Sequence, residues 1–146
     1  MVNVADASVW ISYFLADDVN HVASTAWIDM IARTREPTLA PRFLILEVTA
    51  GIARRYGDAA RGLRFGERLR QNSAVTLVSM TDDLIDEATR VGADLRLRGG
   101  DAIYVATAVL HGARLVTWDQ EQLTRGASLV ATATPADDLA AESGDI

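Results

Sequence analysis

The chain has 146 residues, 49% of them hydrophobic and 23% charged, with a net charge of −6, no Cys and two His. This length fits one domain that buries roughly 70% of the surface its unfolded form exposes, and the lack of Cys excludes a disulfide framework and a thiolate zinc site and suits a reducing cytosol. All 14 basic residues are Arg, which excludes a Walker A loop, whose Lys must reach the phosphates, and argues against other phosphoryl-handling folds built around a Lys.

Short β-prone apolar runs alternate with longer segments of 3.6-residue period, the pattern of a parallel sheet covered by helices. Strands are expected over 2–5, 38–40, 75–79, 114–118 and 129–131. The first two helices are expected over 9–15 and 19–33. A third starts at Pro41, whose missing N–H is harmless in a first turn, and a fourth ends near Arg70 after a break at Gly57. Thr81 suits the cap of a fifth helix, with Asp82 and Asp83 at the positive end of the dipole and Leu84, Ala88, Val91 and Leu95 on one face. Gly99 and Gly100 are expected to stop it. A sixth covers 101–111 and ends at Gly112, and Asp119 with Gln122 resembles a capping box for a short seventh. This describes a single α/β domain over 1–131, without internal repeats. The tail, 132–146, holds Asp137, Asp138, Glu142 and Asp145 and no basic residue, and is expected to be loosely ordered. No apolar stretch approaches the ~18 residues of a membrane span and the first residues lack a basic targeting signal, so a soluble cytoplasmic protein is expected.

Four acids interrupt or end apolar runs: Asp6, Glu47, Asp101 and Asp119. Asp6, Asp101 and Asp119 each suit a helix N-cap, a role compatible with ligating a metal. Asp6 and Asp119 end strands that would be neighbours where the strand order of an open sheet reverses, which is where such sheets bind ligands. Glu47 lies close to an apolar helical stripe and needs a metal, a proton or an Arg, with Arg54 as the structural alternative. Ser8 and Thr117 place a hydroxyl two residues from Asp6 and Asp119, suited to orienting those carboxylates. Hard oxygen donors without Cys point to Mg²⁺ or Mn²⁺. His21 and His111 are read as structural, and Trp10, Phe14 and Trp27 as core, with an aromatic interface for a partner as the alternative. Arg61, Arg64 and Arg68 share one helical face, either to contact RNA phosphates or an acidic partner segment, or simply to be solvated. With the tail acids and the four candidate ligands set aside, the body holds 14 Arg against 12 acids and is not acid-dominated.

In four segments, VNVADASVWISYF, LILEVTAGI, RLRGGDAIYVATA and ARLVTWDQEQL, the chain resembles the PIN-domain nucleases, and among them the VapC-type toxins of toxin–antitoxin pairs. The resemblance runs from about residue 2 to 131. It implies a five-stranded parallel sheet flanked by about seven helices and a Mg²⁺- or Mn²⁺-dependent endoribonuclease. It also implies a homodimer inhibited by a small antitoxin. On this resemblance Asp6, Glu47, Asp101 and Asp119 take the acidic positions and Ser8 and Thr117 the polar ones. A further acid follows the fourth directly in many relatives; here Gln120 stands there and Glu121 comes next. A housekeeping RNA-processing nuclease and a non-catalytic RNA- or protein-binding scaffold are the alternatives.

Overall fold

The structure, a computed structural model, describes residues 1–144. Five parallel strands form one sheet: β1 (Asn3–Ala5), β2 (Thr38–Pro41), β3 (Thr76–Val78), β4 (Arg114–Val116) and β5 (Thr132–Ala133), in the order β3-β2-β1-β4-β5. Among the described residues eight helices accompany them: α1 (Ala7–Phe14), α2 (His21–Thr34), α3 (Phe43–Tyr56), α4 (Ala59–Arg70), α5 (Asp82–Leu95), α6 (Gly99–Leu110), α7 (Gln120–Gly126) and α8 (Pro135–Gly144). The chain builds β1, β2 and β3 outward in one direction, then returns to lay β4 on the other side of β1. The order therefore reverses between β1 and β4, and the crevice beyond their carboxyl ends is the place where such sheets hold ligands.

Apolar runs with little alternation make β1 and β4 buried on both faces, as central parallel strands must be; Val4, Ala5, Leu115 and Val116 are all fully buried. Trp10, Trp27, Ile31, Leu44 and Ile52 complete the core from α1, α2 and α3. No described helix is long and apolar enough to cross a membrane. Gly62 and Gly66 bring α4 onto α3 at close range, because a Cβ at either would collide with Thr49 or Ala53.

The structure departs from the sequence expectations at four places. Pro41 ends β2 and does not open a helix. It pairs with Val78 of β3, and Arg42 donates its N–H to the Val78 carbonyl at 2.8 Å in the ladder. Gly99 and Gly100 do not stop α5. That helix ends at Arg96, which adopts the left-handed conformation (φ 53°), and the two glycines form the first turn of α6, with Gly100 against the Phe43 ring. The fifth strand lies at 132–133, because α7 and the turn after it extend through residue 130.

The fourth departure is the tail, which forms α8 over its described part; residues 145 and 146 lie outside the described residues. Its start is written locally. Thr134 and Asp137 exchange hydrogen bonds, Asp137 N–H to Thr134 Oγ1 at 3.0 Å and Thr134 N–H to Asp137 Oδ2 at 3.3 Å, and Pro135 occupies the first helical position. Its docking is long-range. Asp138 receives both terminal nitrogens of Arg114 at 2.6 and 2.5 Å and the Trp27 indole N–H at 2.7 Å. The Arg114 Nε donates to Asn3 Oδ1 at 2.6 Å, and Asn3 donates in turn to Glu36 at 3.1 Å. An acidic tail without basic residues is thus held by an Arg of β4.

Candidate active site

Asp6 follows β1 directly at the N-cap of α1, yet its side chain makes no capping hydrogen bond. Its two oxygens turn elsewhere: Ser8 Oγ donates to Oδ1 at 2.5 Å, and the Gln122 amide nitrogen donates to Oδ2 at 2.9 Å. The Ser8 oxygen accepts the Trp118 N–H at 2.9 Å, which ties the end of β1 to the segment after β4. Thr117 Oγ1 accepts the Asp119 N–H at 2.9 Å, and Asp119 Oδ1 caps α7 by accepting the Gln122 N–H at 2.8 Å. The two hydroxyls of the acid-hydroxyl pairs stand 3.4 Å apart. The spacing of two between acid and hydroxyl is the local signal that placed both pairs.

Asp101 lies in the first turn of α6, behind the N-cap residue Arg98, so its side chain is not the cap. One oxygen accepts from Gln122 Nε2 at 3.1 Å; the other has no hydrogen-bond partner and faces the exposed Arg98 at 3.6 Å. Glu47 comes from α3, half-buried, and its Oε1 is enclosed without a partner. Arg54, the structural alternative, forms no ion pair with it among the described residues. The buried Tyr104 hydroxyl lies beside Glu47, close enough to act on its carboxylate but not in good hydrogen-bond geometry.

The electrostatics follow from this enclosure. Burial pushes Asp6 up to about 6, against the pull of hydrogen bonds from Ser8, Thr117 and Gln122. Burial also raises Glu47, against the pull of the neighbouring Tyr104 hydroxyl and with the charge of Asp101 adding to the rise. Asp101 rises through burial and the neighbouring charge of Asp119, with Arg98 opposing. Tyr104 is raised well above the usual phenol range by burial and by Glu47. These shifts follow mainly from burial, with repulsion between neighbouring acids adding to it.

One stability consequence is measurable. Asp6 binds its proton more tightly in the folded state than in the unfolded chain, where its value is near 3.8. Its charge therefore costs stability above pH 6, and the cost fades as pH falls toward 3.8. Asp6→Asn is expected to stabilise the metal-free protein by about 1–3 kcal/mol at pH 8 and by much less at pH 4.5. Urea melts in EDTA at the two pH values check this; equal or lower stability at pH 8 would contradict it.

The donor chemistry fits a hard divalent cation. The site offers carboxylate and hydroxyl oxygens, and two carboxylate oxygens, Glu47 Oε1 and Asp101 Oδ2, accept no hydrogen bond, although among the described residues no three of the acids are gathered closely enough to hold one ion as they stand. Neither His belongs to it: His21 Nδ1 bonds to the Ser12 carbonyl at 2.8 Å and His111 Nδ1 to the Thr107 carbonyl at 2.9 Å.

Arg61, Arg64 and Arg68 do share one hollow on α4, with Asp58 and Phe65. It is not part of the acidic crevice. On α3, Thr49, against which α4 packs, is turned about 200° from Glu47. Arg61 stacks on the Tyr56 ring at 3.6 Å, and Tyr56 donates to Asp17 at 2.9 Å, so part of the stripe is held in place. Sequence reasoning missed Gln122 as a site residue. It registered only as the partner in a capping box, but its side chain does not return to the Asp119 N–H, which Thr117 already occupies.

Solved structures share this fold. A protein from Pyrobaculum aerophilum superimposes with TM-score 0.71 at 21% identity, covering 99% of this chain and 97% of that one. A toxin–antitoxin complex from Klebsiella pneumoniae gives 0.63 at 21% identity, with coverages of 91% and 97%. VapC20 of Mycobacterium tuberculosis, described as a toxin that cleaves the sarcin–ricin loop, gives 0.65 at 21% identity, with coverages of 81% and 90%. No curated protein matches the sequence. The PIN domain family matches over residues 4–127, a span that starts in β1, ends just after α7 and includes all four acids; the chain belongs to the PIN domain family.

Proposed function

We propose that this protein is a Mg²⁺- or Mn²⁺-dependent endoribonuclease and the toxin of a toxin–antitoxin pair. The observation that carries this reading is the convergence of four acids at the β1/β4 switch point, Asp6 buried and Glu47, Asp101 and Asp119 partly so, with Glu47 Oε1 and Asp101 Oδ2 accepting no hydrogen bond. Burying such charges is expensive unless a cation compensates them. The similarity to a toxin that cleaves an RNA loop supports RNA as the substrate, and the similarity to toxin–antitoxin complexes supports a small antitoxin partner.

Asp6, Glu47, Asp101 and Asp119 are the residues that would hold the metal. When bound, it supplies Lewis acidity that makes water a better nucleophile at neutral pH and offsets charge developing on the phosphate. Ser8 fixes the orientation of Asp6, and Thr117 fixes the backbone that presents Asp119. Arg98, exposed beside Asp101, is placed to meet a phosphate oxygen at the rim. Both histidines are engaged elsewhere, so water is activated without an imidazole base.

The Arg61, Arg64 and Arg68 hollow is a candidate contact for the RNA backbone or for an acidic antitoxin segment. Trp10 and Trp27 are core, whereas Phe14 is only partly buried, against Tyr13 and Phe65. One apolar surface free for an antitoxin or a second copy is on α3 and α4, where Leu46 and Leu63 are 61% and 65% exposed beside Phe43, Ile45 and Met80.

The test is cleavage of a mixed cellular RNA pool by purified, antitoxin-free protein with Mg²⁺, Mn²⁺ or EDTA. Cutting that requires either metal is expected. Equal cutting in EDTA would remove the metal from the reading, and no cutting by folded protein would move it toward a binding role. Changing the three Arg to Gln is expected to weaken RNA binding and flatten its salt dependence; unchanged binding would exclude phosphate contact.

A further inference from the structure

Gln122 touches three of the four acids. Its backbone N–H donates to Asp119 Oδ1, and its single amide nitrogen donates to both Asp6 Oδ2 and Asp101 Oδ1, at 2.9 and 3.1 Å. The side chain is 1% exposed. Two carboxylate oxygens leave no choice about the orientation of the amide, since an oxygen in the nitrogen's place would face two acceptors. The amide oxygen is consequently driven to the other side, where it is buried and has no partner. An unsatisfied buried carbonyl oxygen is a standing cost, and it is tolerated here because the nitrogen bridges two negative groups.

A donor held between two carboxylates does what a cation would do, with partial positive charge in place of a full one. Among the described residues no three His, Asp or Glu side chains are gathered so that they could hold one ion. The acids that would close on a metal are instead bridged by the amide. We infer that Gln122 is a positioning residue that stands in for the divalent cation: its amide keeps Asp6 and Asp101 bridged until the metal displaces it, and so lowers metal affinity. The inference rests on the metal-dependent reading of the same site. It adds that entry of the ion breaks the two charge-assisted hydrogen bonds from Gln122 to Asp6 and Asp101.

The experiment is Mn²⁺ binding to the full chain, followed by calorimetry and by the loss of the free Mn²⁺ paramagnetic resonance signal, for the natural protein, Gln122→Met, Gln122→Glu and Asp101→Asn. Methionine keeps the length and volume and removes the donor. Glutamate keeps the shape and exchanges the donor for another oxygen ligand. Both are expected to bind Mn²⁺ more tightly, by about tenfold or more, because neither must give up two bonds to charged groups. The Gln122→Glu protein is also expected to melt lower than the natural one in EDTA and to gain more in Tm on adding Mn²⁺, a pairing that general loosening of the fold would not produce. If the natural protein binds Mn²⁺ through Asp101 but both Gln122 variants bind equally or more weakly, the stand-in role is overturned and the metal site survives. If the natural protein does not bind Mn²⁺, or binds it as well with Asp101→Asn, the metal reading itself falls and the inference with it.

Discussion

Asp101→Asn is expected to abolish RNA cleavage, lowering kcat by on the order of 10³-fold or more, while the protein keeps its fold. Asp101 sits in the first turn of α6 with one oxygen on Gln122 and the other enclosed without a hydrogen-bond partner. Asparagine has the same shape, and its carbonyl oxygen can keep the Gln122 bond. What disappears is a negative charge that burial and Asp119 already disfavour. The lost ion pair with Arg98 is 79% exposed on the Arg side and contributes little. The variant should therefore melt at the same temperature or higher in EDTA while its activity is gone, which separates a chemical role from a structural one. Single-turnover cleavage and a thermal melt on one preparation check this. A folded Asp101→Asn protein with natural activity would remove Asp101 from the catalytic set.

The largest loss of stability is expected far from this crevice, at Asp138. Its carboxylate lies against Arg114, with the two side chains 11% and 13% exposed. Asp138→Ala leaves a largely buried guanidinium facing only Glu36 at 3.9 Å and the Asn3 carbonyl oxygen, and leaves the Trp27 indole N–H without its acceptor. Breaking one partner of such a pair costs about 3–5 kcal/mol. The exposed pair between Arg33 of α2 and Glu142 of α8, at 3.6 Å, serves as the control; Glu142→Gln should cost less than about 1 kcal/mol. Burial works to raise Asp138, but the hydrogen bonds from Arg114 and Trp27 outweigh it and hold the carboxyl below the usual range. Its contribution is therefore present above pH 4 and is lost as pH falls through the depressed folded value. Urea melts of the natural and Asp138→Ala proteins at pH 7 and pH 3 should show the gap narrowing in acid. An equal gap at both values, or a cost near that of Glu142→Gln, would show that the pair does not anchor α8.

The two sites differ in how far they could be read from the chain. Asp6 with Ser8, and Thr117 with Asp119, announce themselves because each hydroxyl lies two residues from its acid at the end of a buried strand. Glu47 stands out because a carboxylate on an apolar stripe needs compensation. The resemblance to PIN nucleases gathered these residues into one set, and the reversal of strand order between β1 and β4 brings their elements together. Pro41 and the Gly99–Gly100 pair were misread for a shared reason. Proline and glycine mark a change in backbone state without saying which element they border, and ladder pairing at Pro41 and the left-handed turn at Arg96 decided it.

Sequence alone determined the strand and helix alternation, and it singled out the candidate acids, their hydroxyls and the hard-oxygen character such a set would have, because these depend on periodicity, local spacing and side-chain chemistry. Tertiary structure alone decided that Gln122 lies between Asp6 and Asp101, 116 and 21 residues away, and that the acidic tail folds back onto Arg114. Such contacts depend on the register of β1 against β4 and on how α6, α7 and α8 pack across them. No local spacing encodes that geometry, since it emerges only when the whole core closes.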